Sequence, residues 1–331
     1  MVSLTDAGIS PLCAAVLVSR GYDTPQAAKA LLTSGHGPLR DPMLLPDMEQ
    51  AARRVLRAIE HGEKIAVYGD YDVDGITSTC LLTDFLDRMG ADVTWYIPAR
   101  LEEGYGLNET AVRGLHAMGV QLIITVDCGI TALEEARLCK DLGIELVVTD
   151  HHECKETLPE AVAVVDPHRP DRTYPHTDLS GVGIAFKLAC AISGDTPAML
   201  DRYADLVCLG LIADVMPLRG EVRTLVQKGL KALNPSRRPG LVALMRECGC
   251  DTSPVTTATI GFVLAPRINA AGRMGQVELA LRLFLTPDPR EAAELAAALC
   301  RLNRDRQKVE SGIYAEAVAM LPPGERPPAI V

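Results

Sequence analysis

The sequence predicts an α/β fold, a mostly parallel sheet with helices on both faces, and three observations carry that reading. Short apolar runs of strand length alternate with helical periodicity from about residue 63. The runs are apolar at nearly every position, as strands covered on both faces are. Several end in Asp or His, residue types that an open α/β sheet presents at the carboxyl ends of its strands, where ligands bind.

Taken in order, "KIAVYGD" is the first strand. "GITSTCLLTDFLDRMG" follows as a helix, with Leu82, Phe85, Leu86 and Met89 at helical spacing and Gly90 where a helix stops. "ADVTWYIPA" is the next strand, and "LNETAVRGLHAMG" a helix with Asn108 as its cap. "VQLIITVD" returns as a strand, "TALEEARLCKDLG" as a helix, and "IELVVTDHH" and "AVAVVDP" complete the series. "YADLVCLGLIADVMPL" has the composition of a buried helix, and "APRINAAGRM" reads as a Gly/Ala-rich loop. From about Arg290 to Leu321 a single amphipathic helix is expected, with Leu295, Leu302, Val309 and Ile313 near one stripe. These elements divide the chain into a helical segment over 1–60, a sheet domain over 61–225, a helical and loop region over 226–288, and a connecting helix over 289–331.

With 331 residues, 48% of them hydrophobic and 23% charged, the chain is long enough for two or more domains with full cores, and disorder is excluded. No apolar run reaches the ~18 to 20 residues of a membrane span, and "MVSLTDAGIS" lacks the layout of a signal peptide. A cytoplasmic location is the expectation. The ten cysteines are scattered, several in apolar runs (Cys139, Cys190, Cys208), and read as reduced core residues. Cys248 and Cys250 form a lone CxC without the second pair that a zinc site wants. The formal charge of −10 argues mildly against a nucleic-acid partner, although acids gathered around metal ions weigh on the same tally.

"VYGDYDVDGITSTC", residues 67–80, sets Asp70, Asp72 and Asp74 two apart. On an extended segment three such carboxylates share one small volume and repel unless a cation stands among them. Alone, the pattern reads equally as a solvated acidic turn. Its neighbours decide: further strands end in Asp127 and in Asp150-His151-His152, and a fourth in Asp166, which gathers metal-ligand residue types on adjoining strand ends. Oxygen donors with one or two imidazoles suit Mn²⁺ or Mg²⁺ better than structural zinc. Several carboxylates can hold two such ions, the usual apparatus for phosphate-ester hydrolysis.

"GDYDVDG", "VDCGI", "TDHHE", "LIADVMPL" and "APRINAAGRM", in this order and spacing, resemble the DHH phosphoesterase superfamily, and within it the bacterial single-stranded-DNA-specific exonucleases. The likeness covers nearly the whole chain. It implies that Asp72, Asp74, Asp127, His151 and Asp214 are metal ligands, with Asp127 the bridge. It sets Asp70 and Asp150 beside them in support and His152 against the scissile phosphate, so that Asp127, His151 and His152 form the catalytic group. Asp214 enters only through this resemblance; spacing alone reads it as a helix-terminal acid before Pro217. One position departs from the pattern, since many relatives carry a ligand histidine where this chain has Tyr68.

Arg267, Asn269 and Arg273 offer donors for phosphates, or an ordinary solvated turn; the resemblance favours binding of the nucleic-acid backbone. Gly181 and Gly183 form a GxG ahead of an apolar helix, for which helix–sheet packing is a better account than phosphate binding. His168 and His176 lie in a Pro-rich loop, where the default is a surface position, and Asp166 receives no ligand role. The resemblance implies a Mn²⁺- or Mg²⁺-dependent exonuclease degrading single-stranded DNA from the 5′ end to mononucleotides, with a single-stranded-DNA-binding protein and a helicase as partners. It also implies a second domain beyond the long helix; the Gly-Gly-His signature of that domain is absent, so a chain ending before it, with "PPGERPPAIV" starting a further strand, is the expectation. Three other readings compete: a relative acting on pyrophosphate, cyclic dinucleotides or short oligonucleotides; a catalytically inactive DNA-binding scaffold, which has no reason to keep mutually repelling carboxylates; and a nicotinamide-binding protein, weakened because no G-x-G-x-x-G follows the first strand.

Overall fold

The computed structural model describes residues 2–32, 39–100 and 103–320. The chain forms two compact units, Met1–Leu39 and Arg40–Val331. In the first, helices α1 (Val2–Asp6), α2 (Pro11–Ser19) and α3 (Pro25–Leu32) enclose a small core of Leu4, Ala14, Leu17 and Ala28. Ser10 caps α2 by accepting the Cys13 N–H, and Pro11 occupies the first turn, where no N–H is needed.

The second unit holds the sheet. It begins with α4 (Met48–Glu60), read from sequence as part of an N-terminal helical segment, which here packs on a helix and an edge strand of the sheet domain. The alternation then runs β1 (Ile65–Tyr68), α5 (Val73–Arg88), β2 (Val93–Tyr96), α6 (Glu109–Ala117), β3 (Leu122–Val126), α7 (Leu133–Asp141), β4 (Glu145–Thr149), β5 (Ala163–Val165) and α8 (Gly181–Ser193). The five strands are parallel in the order β2-β1-β3-β4-β5. Ala66, Tyr68, Ile123, Leu146, Val148 and Val164 pack with Ala111, Leu115, Ala136 and Cys139 of α6 and α7. Side chains alternate along a strand, so Val67, Ile124 and Val147 point to the opposite face, which α4, α5 and α8 cover. Helices on both faces explain why these strands read as unbroken apolar runs.

The strand order reverses direction between β1 and β3, and in such a sheet the crevice at the reversal is where ligands bind. The register aligns the strand ends, with Tyr68 opposite Thr125 and Val126 opposite Thr149, so the acids after β1, β3 and β4 emerge at one edge.

The chain continues through α9 (Thr196–Ala213), α10 (Gly220–Ala232), α11 (Pro239–Glu247), the single turn α12 (Thr257–Thr259), a π-helical turn over Ile260–Leu264, α13 (Ala265–Arg273), α14 (Val277–Leu285) and α15 (Pro289–Ala319). The segment "APRINAAGRM", expected as a loop, is therefore helix. Its Ala-rich interior favours one, and Pro266 falls in the first turn of α13, where its missing N–H costs nothing extra. The long helix forms as expected. Leu295 and Leu302 are buried, but Val309 and Ile313, placed on the same stripe by the sequence, are exposed. The strand expected in "PPGERPPAIV" lies outside the described residues. Among those described, no helix is long and apolar enough to cross a membrane.

A buried ion pair fastens α8 to α10. Lys187 donates from Nζ to Glu221 Oε2 at 2.8 Å and to the Arg40 carbonyl at 2.7 Å, and the Tyr174 hydroxyl donates to Glu221 Oε1. Removing one partner of such a pair strands the other charge without water. Lys187→Met is accordingly expected to destabilise the chain by about 3–5 kcal/mol, measured by urea unfolding; a loss below about 1 kcal/mol would mean that Glu221 finds solvent or another donor.

Candidate metal centre

The turn after β1 is tighter than an extended D-x-D-x-D segment. Asp72 is the N-cap of α5, its Oδ1 accepting the N–H groups of Asp74 and Gly75 at 2.8 and 3.0 Å, so Asp74 already lies in the first helical turn. The three acids divide between two donor groups, Asp70 and Asp72 with Asp127, and Asp74 with His151 and Asp214. Asp74 is buried and faces the start of α8, which surrounds its carboxylate with donors. Ser180 Oγ and the Val182 N–H reach Oδ1 at 2.9 and 3.1 Å, and the Gly181 N–H reaches Oδ2 at 2.6 Å. A helix N-terminus favours an anion, and here the anion is the protein's own carboxylate. That explains the GxG at 181–183, which is not free to bind phosphate.

Asp127, at the end of β3, takes a left-handed backbone with φ of 61°, rare for a residue with a side chain. A Cβ on Gly181 would lie 2.4 Å from the Asp127 Cβ, so only glycine lets α8 come this close. Val215, directly after Asp214 at the C-terminal cap of α9, is also left-handed, with φ of 58°. A β-branched residue seldom adopts this conformation, and two such outliers beside one group of acids mark a strained functional site.

His151 joins these acids. Its Nε2 lies 3.0 Å from Asp127 Oδ1, 3.6 Å from Asp214 Oδ2 and 3.8 Å from Asp74 Oδ2. Three sets of donor atoms, each within 4.8 Å of one another, overlap here: Asp74, His151 and Asp214; Asp127, His151 and His152; Asp70, Asp72 and Asp127. Asp127 belongs to two of the three.

Burial and mutual repulsion set the protonation of these acids. Burial, with repulsion from Asp72, pushes the carboxyls of Asp70 and Asp74 up to about 7; burial and Asp72 raise Asp214 to about 6. Burial and the neighbouring acids raise Asp127 well above the carboxylate range. Burial and the adjacent His152 hold His151 down at about 4, so its ring is neutral, as a metal-ligating imidazole must be. Asp70 Oδ1 is buried without a hydrogen-bond partner. A buried acceptor left open among mutually repelling carboxylates is what a cation would satisfy, and the hard oxygen-plus-imidazole donor set fits Mn²⁺ or Mg²⁺.

Asp150 stands behind the histidines. Its Oδ2 accepts the Ile130 N–H at 2.9 Å, and its Oδ1 accepts the His151 N–H at 2.8 Å and meets His152 Nδ1 at 2.7 Å. Although burial opposes it, the bond to His152 holds Asp150 below its ordinary range, and the same bond raises His152 to about 9. His152 is thus a half-exposed cation at the rim. The Tyr105 hydroxyl, unremarked in the sequence, lies 3.4 Å from His152 Nε2 and donates to the Asp127 carbonyl at 3.3 Å. Ser180 was equally invisible, because its role requires α8 to be placed against α5.

Tyr68 is turned away from the acids: its ring stacks on Tyr96 at 5.3 Å, and its hydroxyl donates to the Gly106 carbonyl at 2.9 Å. Asp166 is buried at the end of β5 beside His168, outside the three donor sets, and His176 packs at Gly220. Both histidines are half-buried, not on the surface as expected. Cys248 meets Cys300, with the sulfurs 3.9 Å apart, and Cys250 Sγ turns to the Met245 carbonyl, so the CxC does not converge on a metal.

The helical form of α13 separates the three donors expected to act together. Asn269 and Arg273 are four apart and share a face, whereas Arg267 lies on the other side. Arg267 Nη1 donates to the Val263 carbonyl at 2.6 Å, and its guanidinium lies beside Cys300 of α15. Asn269 Oδ1 accepts the Val73 N–H at 3.0 Å, the amide between Asp72 and Asp74. A Cβ on Gly272 would sit 2.2 Å from the Tyr71 carbonyl oxygen. The motif therefore docks directly on the acidic turn, with Arg273 acting electrostatically on Tyr71.

The family model of the DHH family, N-terminal domain, matches residues 64–211. The chain is 44% identical over 313 residues to the single-stranded-DNA-specific exonuclease RecJ of Bacillus subtilis, covering 95% of this chain and 39% of that protein. It is 35% identical to the Escherichia coli RecJ, covering 97% of this chain and 57% of that one. Among solved structures, exonuclease RecJ bound to manganese superposes with a TM-score of 0.78 at 39% identity, over 86% of this chain and 72% of that chain. The chain belongs to the DHH family, in its RecJ branch. The RecJ of Thermus thermophilus in complex with Mn²⁺ superposes at 0.81, with 35% identity over 97% of this chain and 46% of that one. The chain thus spans about two-fifths to just over half of these two curated RecJ relatives.

Acids raised above their unfolded values bind more protons folded than unfolded, so their contribution is intact below about 4 and is lost as pH rises through 6 to 7. In metal-free protein, Asp127→Asn should match the wild type in melting temperature at pH 4 and exceed it by at least ~2 °C at pH 8. Parallel melting curves at both pH values would show that the acids do not repel as described.

Proposed function

We propose that the chain is a Mn²⁺- or Mg²⁺-dependent phosphodiesterase that hydrolyses single-stranded DNA from the 5′ end to mononucleotides. The observation that carries this reading is the single nitrogen of His151 facing Asp74, Asp127 and Asp214, with Asp127 shared with Asp70 and Asp72. Asp74, His151 and Asp214 would hold one ion and Asp70 and Asp72 a second, with Asp127 between them. Asp70 then serves as a ligand, not only as a support, because its open Oδ1 faces the group. Ions held there would supply Lewis acidity and lower the pKa of a coordinated water.

The remaining work falls to residues of this chain. His152, kept cationic by Asp150, contacts a nonbridging phosphate oxygen and offsets charge that builds on it during attack. Tyr105 orients that imidazole and fixes the Asp127 carbonyl. Arg100, whose guanidinium lies 5.0 Å from the centre of the Tyr71 ring, and Arg273 bring positive charge to the turn of residues 70–74, where the strand's backbone enters. Asn269 holds the Val73 amide and so the spacing of Asp72 and Asp74; it acts by positioning. The relatives named as single-stranded-DNA-specific exonucleases support this substrate, and a single-stranded-DNA-binding protein and a helicase are the proposed partners.

Single strands labelled at the 5′ or the 3′ end, digested with Mn²⁺, test the reading: early mononucleotide release from the 5′ label supports it, and turnover of pyrophosphate or cyclic dinucleotides with intact strands contradicts it. Asp127→Ala should lower strand hydrolysis far beyond the ~100-fold expected of a residue that merely supports a ligand. Asn269→Ala should fall within that ~10- to 100-fold range and weaken Mn²⁺ binding in calorimetry. Near wild-type turnover of Asp127→Ala in Mn²⁺ would remove Asp127 from the centre.

A further inference from the structure

Helices α5 and α9 each have one end at the metal centre and the other in a second cleft. Asp74 opens α5 and Arg88 closes it, about 20 Å apart at the helical rise. This cleft has a volume of about 760 Å³ and lies among α5, α9, α10 and α14. The catalytic reading does not use it.

Its charge runs against that of the chain. In a protein of formal charge −10, six cations line the cleft (Arg88, Arg202, Lys228, Lys231, Arg237 and Arg238) against three acids, Asp84, Asp201 and Asp205. All three acids are already committed, Asp201 to Arg237 at 3.7 Å. Arg238 spends its Nε and Nη2 on Asp205 and its Nη1 on the Phe284 carbonyl, which makes that pair structural. Asp84 accepts from Arg88 Nε, Arg202 Nε and the Tyr203 hydroxyl, at 3.0, 3.1 and 2.7 Å to Oδ2.

The donors left over are the informative ones. Arg88 and Arg202 meet Asp84 through Nε, so their Nη forks remain open to the cleft. Lys228 and Lys231 are three apart on α10 and share a face, and among the described residues neither is paired with an acid. Lys228 is half-buried, an expensive place for an ammonium group without a counter-charge. The lining also has an apolar part: Pro197, Leu200, Pro235, Leu285 and Pro287.

We propose that this cleft binds a nucleoside polyphosphate, with Lys228, Lys231 and the Nη groups of Arg88 and Arg202 on the phosphates and the nucleoside against the proline and leucine wall. The formal excess of three positive charges favours a polyanion. The volume exceeds what a phosphate chain alone would fill and lies in the range of small-ligand sites. Forked guanidinium donors beside point-charge ammonium groups form the usual mixed set for phosphate recognition.

Calorimetry on metal-stripped protein, with ATP and then inorganic triphosphate as titrant, tests the proposal without engaging the metal centre. ATP should bind more tightly than triphosphate. Lys228→Glu with Lys231→Glu should weaken ATP binding at least tenfold, and the corresponding double arginine variant should restore it. Lys231 is exposed and Lys228 half-buried, and an unchanged melting temperature confirms that the variants fold. No heat at millimolar ATP, or binding indifferent to the lysine charge reversal, overturns the site. Equal affinity for ATP and triphosphate overturns the nucleoside part, since the apolar wall would then read nothing. Binding of a single-stranded oligonucleotide but not ATP, lost in the same double variant, replaces the proposal with a track for the strand.

Discussion

The centre is governed by the electrostatics of carboxylates crowded out of water. Asp70, Asp74 and Asp127 are each almost fully buried; Asp74, Asp127 and Asp214 lie near a single imidazole nitrogen, and Asp70 and Asp72 gather with Asp127. Without a cation, these groups are driven to keep protons that free carboxylates would release, and the fold carries that unfavourable term. Much of the surrounding structure reads as a means of enforcing it. The start of α8 grips Asp74 with three donors, and Gly181 allows the helix to approach Asp127. Asn269 on α13 fastens the amide between two of the acids. A divalent ion converts the same crowding from a cost into an affinity.

Topology explains why the acids meet. In the order β2-β1-β3-β4-β5, β1 and β3 are neighbours although a strand and two helices separate them in sequence. The chain leaves them in opposite directions, opening a crevice at their carboxyl ends. The aligned register sets the residues after β1, β3 and β4 at its rim. Asp214 arrives separately, from the end of α9, and the left-handed Val215 turns the chain immediately behind it.

The sheet and the strand-end acids were legible in the sequence because both follow from short-range rules: apolar run length for the strands, and position at a strand end for the acids. Asp127 and His151 needed only those rules. Asp214, by contrast, is indistinguishable from a helix-terminal acid until α9 is placed, and only the family resemblance singled it out. The contributions of Ser180 and Tyr105 were hidden for the same reason, being contacts across long sequence separations. The segment at 265–273 was misread as a loop because its glycine and polar residues resemble turn chemistry. Its Asn and Gly are explained by docking on Tyr71 and Val73, and the helical period then carries Arg267 away from its two supposed companions.

The central claim, that these buried acids and His151 exist to hold divalent ions around Asp127, is tested most directly by anomalous diffraction from a crystal of this chain grown with Mn²⁺. The account predicts two manganese peaks flanking the Asp127 carboxylate, one against His151, Asp74 and Asp214 and the other against Asp70 and Asp72. A map with no peak at Asp127, or with manganese bound only elsewhere on the surface, would contradict it.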